Sequence, residues 1–137
     1  MQSRLIDVFF YGLFMDAESL RANGFHPVNG RQARVSGMAL HIGRRATLVP
    51  DPGTSAHGFV FGLSHDEIDR LYAEPSVAAY RPEAVIVELA DRSRLPALCF
   101  NLPSSNEAVQ SNPDYAEKLR AVAGRLGLPA DYVAGIR

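Results

Sequence analysis

Glu74 stands at the end of a helical run and directly before Pro75. The chain must leave the helix there, because proline disfavours the α conformation of its predecessor and has no N–H to donate. A carboxylate at such a point does proton transfer when protein walls shield it; by itself it reads more often as a solvated surface residue. The other place where chemistry commonly gathers is the end of the first strand, where Tyr11-Gly12-Leu13-Phe14 turns the chain and presents backbone N–H groups. Arg44 and Arg45 could bind a carboxylate, although a charged pair in a turn is more often solvated. His26, His41, His57 and His65 lack metal-ligand spacing, and Cys99, the single cysteine, reads as a buried strand thiol that excludes an intrachain disulfide. No Ser/His/Asp or Cys/His set stands out, although such sets are spatial and order alone does not exclude one.

These residues need elements to position them. Residues 5–10 are β-branched and aromatic and run as a strand into Gly12. Asp16 caps a short helix over residues 17–22 that stops at Gly24. Alternation over residues 33–41, a second short strand at 47–49 and a turn at 50–53 come next. A third strand covers 57–63, with Gly58 and Gly62 marking bulges or close backbone approaches. Ser64 and Glu67 form a capping box for the helix whose face is Ile68, Leu71 and Tyr72. Strands around 85–89 and over 95–102 follow, then a polar irregular stretch from 103 to 111. Asn112-Pro113-Asp114 starts a helix carrying Tyr115, Leu119, Val122 and Leu126, closed by Gly127; Pro129 opens a shorter one with Tyr132, Val133 and Ile136 on its apolar side. Five or six strands with one helix among them and helices at the end predict an α+β fold, a small mixed closed β-barrel with flanking helices, since closure removes exposed edges.

The 137 residues suit one domain with its own core, taking in the whole chain. A 47% hydrophobic and 21% charged composition is ordinary for a soluble protein. No apolar run nears the roughly 20 residues of a membrane span, and the N-terminus is too short and interrupted for a signal peptide. A formal charge of -1 argues against a nucleic-acid surface and for small-molecule partners. A cytoplasmic monomer or weak homodimer is expected.

Three stretches resemble the γ-glutamylcyclotransferase-like family, which includes AIG2-like relatives. Phe10-Tyr11-Gly12-Leu13-Phe14-Met15 is similar to the Tyr-Gly-Ser loop after the family's first strand. Gly58 to Leu63, then Leu71-Tyr72-Ala73-Glu74, then Tyr80-Arg81 and Val85-Ile86-Val87 follow its order of strand, helix, catalytic Glu, Tyr and strand. Ser111 to Tyr115 with Gly127 to Tyr132 looks like its C-terminal helices. Here Leu13, followed by bulky Phe14, replaces the small hydroxyl residue usual after Tyr-Gly, which implies a more apolar pocket, and Pro75 replaces the glycine common after the Glu, where a fixed φ and a missing N–H could re-aim the carboxylate.

The resemblance implies a barrel core and an intramolecular reaction, in which the free amine of a γ-glutamyl group attacks its own γ-carbonyl to give 5-oxoproline and a released amine, amino acid or small peptide. No metal or organic cofactor is implied. Glu74 takes the place of the acid/base: it would unmask the amine and protonate the departing nitrogen, best with a pKa raised toward neutrality. The amides of residues 11–14 would hold a carboxylate or the developing oxyanion. Tyr80 and Tyr132 match pocket positions, each equally readable as a packing tyrosine; Tyr11 is as readily a core aromatic as a substrate contact. Because both reacting groups belong to one molecule, positioning supplies much of the acceleration and no protein nucleophile is required. A small-ligand-binding module that kept the pocket without turnover is the competing expectation.

Overall fold

The structure, a computed structural model, describes residues 4–103 and 111–137. The reading of 103–111 as irregular chain therefore falls largely outside the described residues. Five strands, β1 (Leu5–Phe10), β2 (Val28–Ile42), β3 (Ala46–Ser64), β4 (Arg81–Leu89) and β5 (Arg94–Asn101), close a barrel in the order β1-β3-β2-β4-β5. All pairs are antiparallel except β1 with β5, whose parallel seam joins Val8 to Leu98 and Phe9 to Cys99. Around the barrel lie α1 (Ala17–Ala22), α2 (His65–Ala73), α3 (Pro113–Arg125) and α4 (Ala130–Ala134). None of the described helices is long and apolar enough to cross a membrane.

The α+β closed barrel agrees with the expectation, and its strand count resolves to five. The two short strands expected at 47–49 and 57–63 are parts of one long β3, which pairs with β2 from Ile42↔Ala46 to Val28↔Gly62. In place of the turn expected at Pro50 to Gly53 there is an irregularity within the ladder: register jumps from Ser36↔Ser55 to Met38↔Pro50, with Gly37 at φ 79° and Gly53 at φ 87°. Both glycines take the left-handed backbone that a side chain would strain. A bulge bends the strand without ending it.

Helix boundaries follow local chemistry. Asp16 accepts from the Glu18 N–H at 3.1 Å to cap α1, and its carboxylate also meets Arg125 of α3 at 2.7 Å. In α2, the Ser64 hydroxyl accepts from Glu67 N and the Glu67 carboxylate accepts from Ser64 N, the reciprocal box expected. Asn112 caps α3 through Tyr115 N. Inside the barrel Val8, Phe9, Val60, Leu63, Val87 and Cys99 are all but fully buried. Burying each large apolar side chain contributes roughly 1.5–3 kcal/mol against chain entropy.

One close approach positions the loop after β1. A Cβ on Gly58 would lie 2.0 Å from the Phe10 carbonyl oxygen and 3.1 Å from Tyr11 Cα. Only glycine lets β3 run this near the exit of β1, which is the close backbone contact its place inside a strand suggests.

Candidate functional site

Where β1 ends, the chain makes a single 3-10 turn over Leu13–Met15, with the Met15 N–H donating to Gly12 O at 3.0 Å. Opposite it, α2 ends at Ala73, and Glu74, at φ -66° and ψ 132°, leads into two successive turns, Val77 N to Glu74 O and Tyr80 N to Val77 O. Between these segments is a cavity of about 370 Å³. It is bounded by residues 9–14 on one side and by Tyr72, Ser76, Val77 and Tyr80 on the other.

Aromatic residues make up half of its lining. Of seven Phe and five Tyr in the chain, eight line this cavity, so it accepts apolar groups readily. The rings are held in place. Tyr72 stacks on Phe100 with centroids 3.9 Å apart, and Phe10 meets Phe14 edge-on at 6.4 Å. The Tyr11 hydroxyl donates to Phe100 O at 2.7 Å, and the Tyr80 hydroxyl donates to Ala46 O. Burial drives the Tyr11 and Tyr72 hydroxyls well above the ordinary tyrosine pKa, so both stay neutral.

Tyr11, Gly12, Leu13, Phe14 and Tyr80 are thus brought to one cavity. Tyr132 is not. Its ring packs on His57, with centroids 4.7 Å apart, and it lines a separate cleft of about 550 Å³ with His41, Thr54 and Asp131. Five residues of helix leave few faces to choose from, and α4 turns this one toward β3.

Glu74 is on the segment that walls the cavity but is exposed, and its carboxylate is not part of the wall. It accepts from the Ser76 N–H at 3.0 Å and from the Ser76 hydroxyl. Ser76 does line the cavity, so the carboxylate is held at its rim by a wall residue. The side chain of Glu74 does not lie in the shielded cleft expected around it; it is exposed to solvent beyond the cavity wall.

Two further sets of residues reach the cavity. Tyr115 projects from the first turn of α3 onto the 3-10 turn: a Cβ on Gly12 would lie 2.6 Å from its hydroxyl oxygen. Burial raises the Tyr115 pKa, and a hydrogen bond from the Leu13 backbone opposes the rise. The sequence showed Tyr115 only as one apolar position in a helical repeat; its place on the turn just after an Asn cap, on a face otherwise small or aliphatic, was the available signal. Arg44 and Arg45 also line the cavity. Among the described residues, no group of three or more His, Cys, Asp or Glu is gathered to hold a metal ion.

Several solved structures share this architecture. A gamma-glutamyl cyclotransferase superposes with a TM-score of 0.81 at 18% identity, over 98% of this chain and 89% of that one. A gamma-glutamyl cyclotransferase specific to glutathione, from yeast, gives 0.69 at 15% identity over 98% and 94%. An AIG2-like protein from mouse gives 0.54 at 15% identity over 92% and 85%. At these identities the likeness establishes the fold. Compared by sequence with curated proteins, the chain has no match. The profile of the family described as gamma-glutamyl cyclotransferase, AIG2-like, matches residues 8–118, a span holding the loop after β1, Glu74 and all of the barrel but the start of β1, and the chain belongs to that family.

Proposed function

We propose that this chain cyclises the γ-glutamyl group of a small molecule, releasing 5-oxoproline and a free amine, amino acid or small peptide, with Glu74 as general acid/base. The observation that carries this reading is the cavity between the loop at 11–14 and the segment at 72–80, with the Glu74 carboxylate tied to a residue of its wall. Rotation of an exposed glutamate takes picoseconds to nanoseconds, so exchanging Ser76 for a bound substrate amine is a fast step.

In the reaction Glu74 takes a proton from the α-ammonium of the substrate. The freed nitrogen attacks the γ-carbonyl carbon, closing a five-membered ring. The tetrahedral centre then collapses as the bond to the leaving nitrogen breaks. Two protons pass in all from the attacking to the leaving nitrogen, each by way of the Glu74 carboxylate, and no other species is consumed. A substrate over the Glu74 rim shields that carboxylate from water, and one carboxylate then serves first as base and then as acid. The aromatic wall favours the folded-back conformer by excluding water from around it. Of the N–H groups of the 3-10 turn, that of Met15 donates to Gly12 O and that of Leu13 to the Tyr115 hydroxyl, so the Phe14 N–H is the donor suited to the developing oxyanion.

Measuring 5-oxoproline across a panel of γ-glutamyl amines, amino acids and peptides tests the reading. Turnover that falls at least about a hundredfold in Glu74→Gln, with the thermal midpoint unchanged, is expected. No turnover of any member, or full activity in that variant, overturns it. The outward-facing Glu74 favours one second reading, a γ-glutamyl-binding module without turnover, which calorimetric binding in the absence of product identifies.

A further inference from the structure

The ring of Tyr132 packs on His57, yet its hydroxyl oxygen is buried with no hydrogen-bond partner. The same holds for His41 Nε2, and among the described residues these are the two buried side-chain N or O atoms left unpaired. Both residues line the cleft of about 550 Å³ between α4 and the β2–β3 hairpin. Native proteins pair almost all such atoms, and leaving one unpaired inside costs folding free energy, so two at one cleft call for a reason. Burial raises the Tyr132 pKa, and the His57 backbone N–H tempers the rise from outside hydrogen-bonding geometry. The hydroxyl therefore stays neutral and keeps its proton to donate.

We propose that this cleft binds a small neutral polyol, with the Tyr132 hydroxyl and His41 Nε2 each bonded to one of its hydroxyl groups. A hydroxyl both donates and accepts, so it answers the Tyr132 O–H as acceptor and His41 Nε2 in either ring tautomer. Thr54 and Ser55 add two more hydroxyls to the lining, and the Asp131 carboxylate adds acceptors. Leu40 and Ile136 offer apolar surface to the C–H groups that alternate with hydroxyls on a polyol. Charge argues against an ion. Asp131 and Arg137 are the charged residues of the lining, one of each sign, so the cleft as a whole prefers neither a cation nor an anion. An ion set against the two buried atoms would also give up hydration for a neutral hydrogen bond. Reaching those atoms takes a small turn of two half-buried rings, and surface side chains make such turns in picoseconds to nanoseconds. The cleft shares no lining residue with the aromatic cavity, so the proposal does not rest on the cyclisation reading.

Titration of the unaltered protein with myo-inositol and with glucose, followed by the ring nitrogen resonances of His41 and the ring protons of Tyr132, tests the proposal, with acetate and butylammonium as ionic controls. A saturable shift at both residues is expected with at least one polyol and with neither ion, at a dissociation constant on the order of 1 mM. Tyr132→Phe is expected to weaken that binding about tenfold, read at His41, as losing one neutral hydrogen bond would. The thermal midpoint of the ligand-free variant should not fall, because no hydrogen bond is lost there. No saturable shift with either polyol, an equal response to an ion, or undiminished binding in Tyr132→Phe overturns the proposal. A lower midpoint in that variant overturns it too, by showing the hydroxyl already bonded within the fold. The titration of the unaltered protein needs no variant to fold, and 5-oxoproline is not among its readouts, so its failure leaves the cyclisation reading where it stood.

Discussion

The Tyr11 hydroxyl donates to the Phe100 carbonyl oxygen at 2.7 Å, joining the start of the site loop to β5 across 89 positions of sequence. Both groups are buried, so this bond fixes where the loop begins. Tyr11→Phe removes the donor and leaves a buried acceptor without that partner. A loss of about 1–2 kcal/mol in unfolding free energy is expected from urea denaturation. An unshifted midpoint would show that the carbonyl is satisfied otherwise and that the loop is held by packing alone.

Gly58 and Gly62 sit on the same strand and predict opposite outcomes. A Cβ at Gly58 meets the Phe10 carbonyl at 2.0 Å, a backbone atom that cannot swing away, whereas one at Gly62 meets the Val28 side chain at 3.2 Å. Gly58→Ala should lower stability by about 3 kcal/mol or prevent folding, and Gly62→Ala should cost about 1 kcal/mol or less. Equal thermal midpoints for the two variants would contradict the close approach of β3 to the exit of β1.

At Gly12 the obstructing atom belongs to a side chain, the Tyr115 hydroxyl oxygen at 2.6 Å. Gly12→Ala is therefore expected to fold while displacing Tyr115 and weakening ligand binding. Adding Tyr115→Phe removes that oxygen, so the double variant should be more stable than the sum of the single effects by about 0.5–1 kcal/mol. Strict additivity in a double-mutant cycle would place the strain elsewhere.

Alkaline pH should destabilise the fold through groups that folding buries. Burial pushes the Cys99 thiol up to about 12 and raises Tyr11, Tyr72, Tyr115 and Tyr132 above the tyrosine norm. In the unfolded chain these ionise near their usual values, about 8.5 for the thiol and about 10 for the phenols. Between the unfolded and folded values the native state binds more protons, so stability is unaffected at neutral pH and falls as pH rises through that window. Each group that titrates only on unfolding contributes a slope of about 1.4 kcal/mol per pH unit. Urea midpoints at pH 8, 9 and 10 should decline, and Cys99→Ala should flatten the part between 8.5 and 10. A midpoint that holds steady to pH 10 in the unaltered chain would deny the thiol's burial a role.

Local chemistry made the helices legible in sequence. Asp16, the Ser64/Glu67 pair and Asn112 act on N–H groups within three residues, so their effect does not depend on the rest of the fold. Strand limits depend on distant partners. Pro50 to Gly53 has the composition of a strand-ending turn, yet pairing of β2 on both sides carries β3 through it as a bulge. Site residues divide in the same way. The loop at 11–14 and Tyr80 follow from chain order, whereas the outward Glu74 depends on its bond to Ser76. Tyr132 and Tyr115 have the same helical spacing, and only packing separates a ring on His57 from one against Gly12. The two arginines read as a solvated turn because nothing local announces that Asn112, 68 residues onward, fastens that turn over a cavity.

The parallel seam between β1 and β5 carries a further consequence for how a working molecule comes into being. Residues 8 and 9 register with residues 98 and 99, so the ring of strands stays open until its first and last members meet. Phe9 and Phe100, on either side of that junction, both face the cavity. Loop-closure entropy disfavours so distant a pairing early in folding, and the pairing that completes the cylinder also brings the two sides of the cavity together.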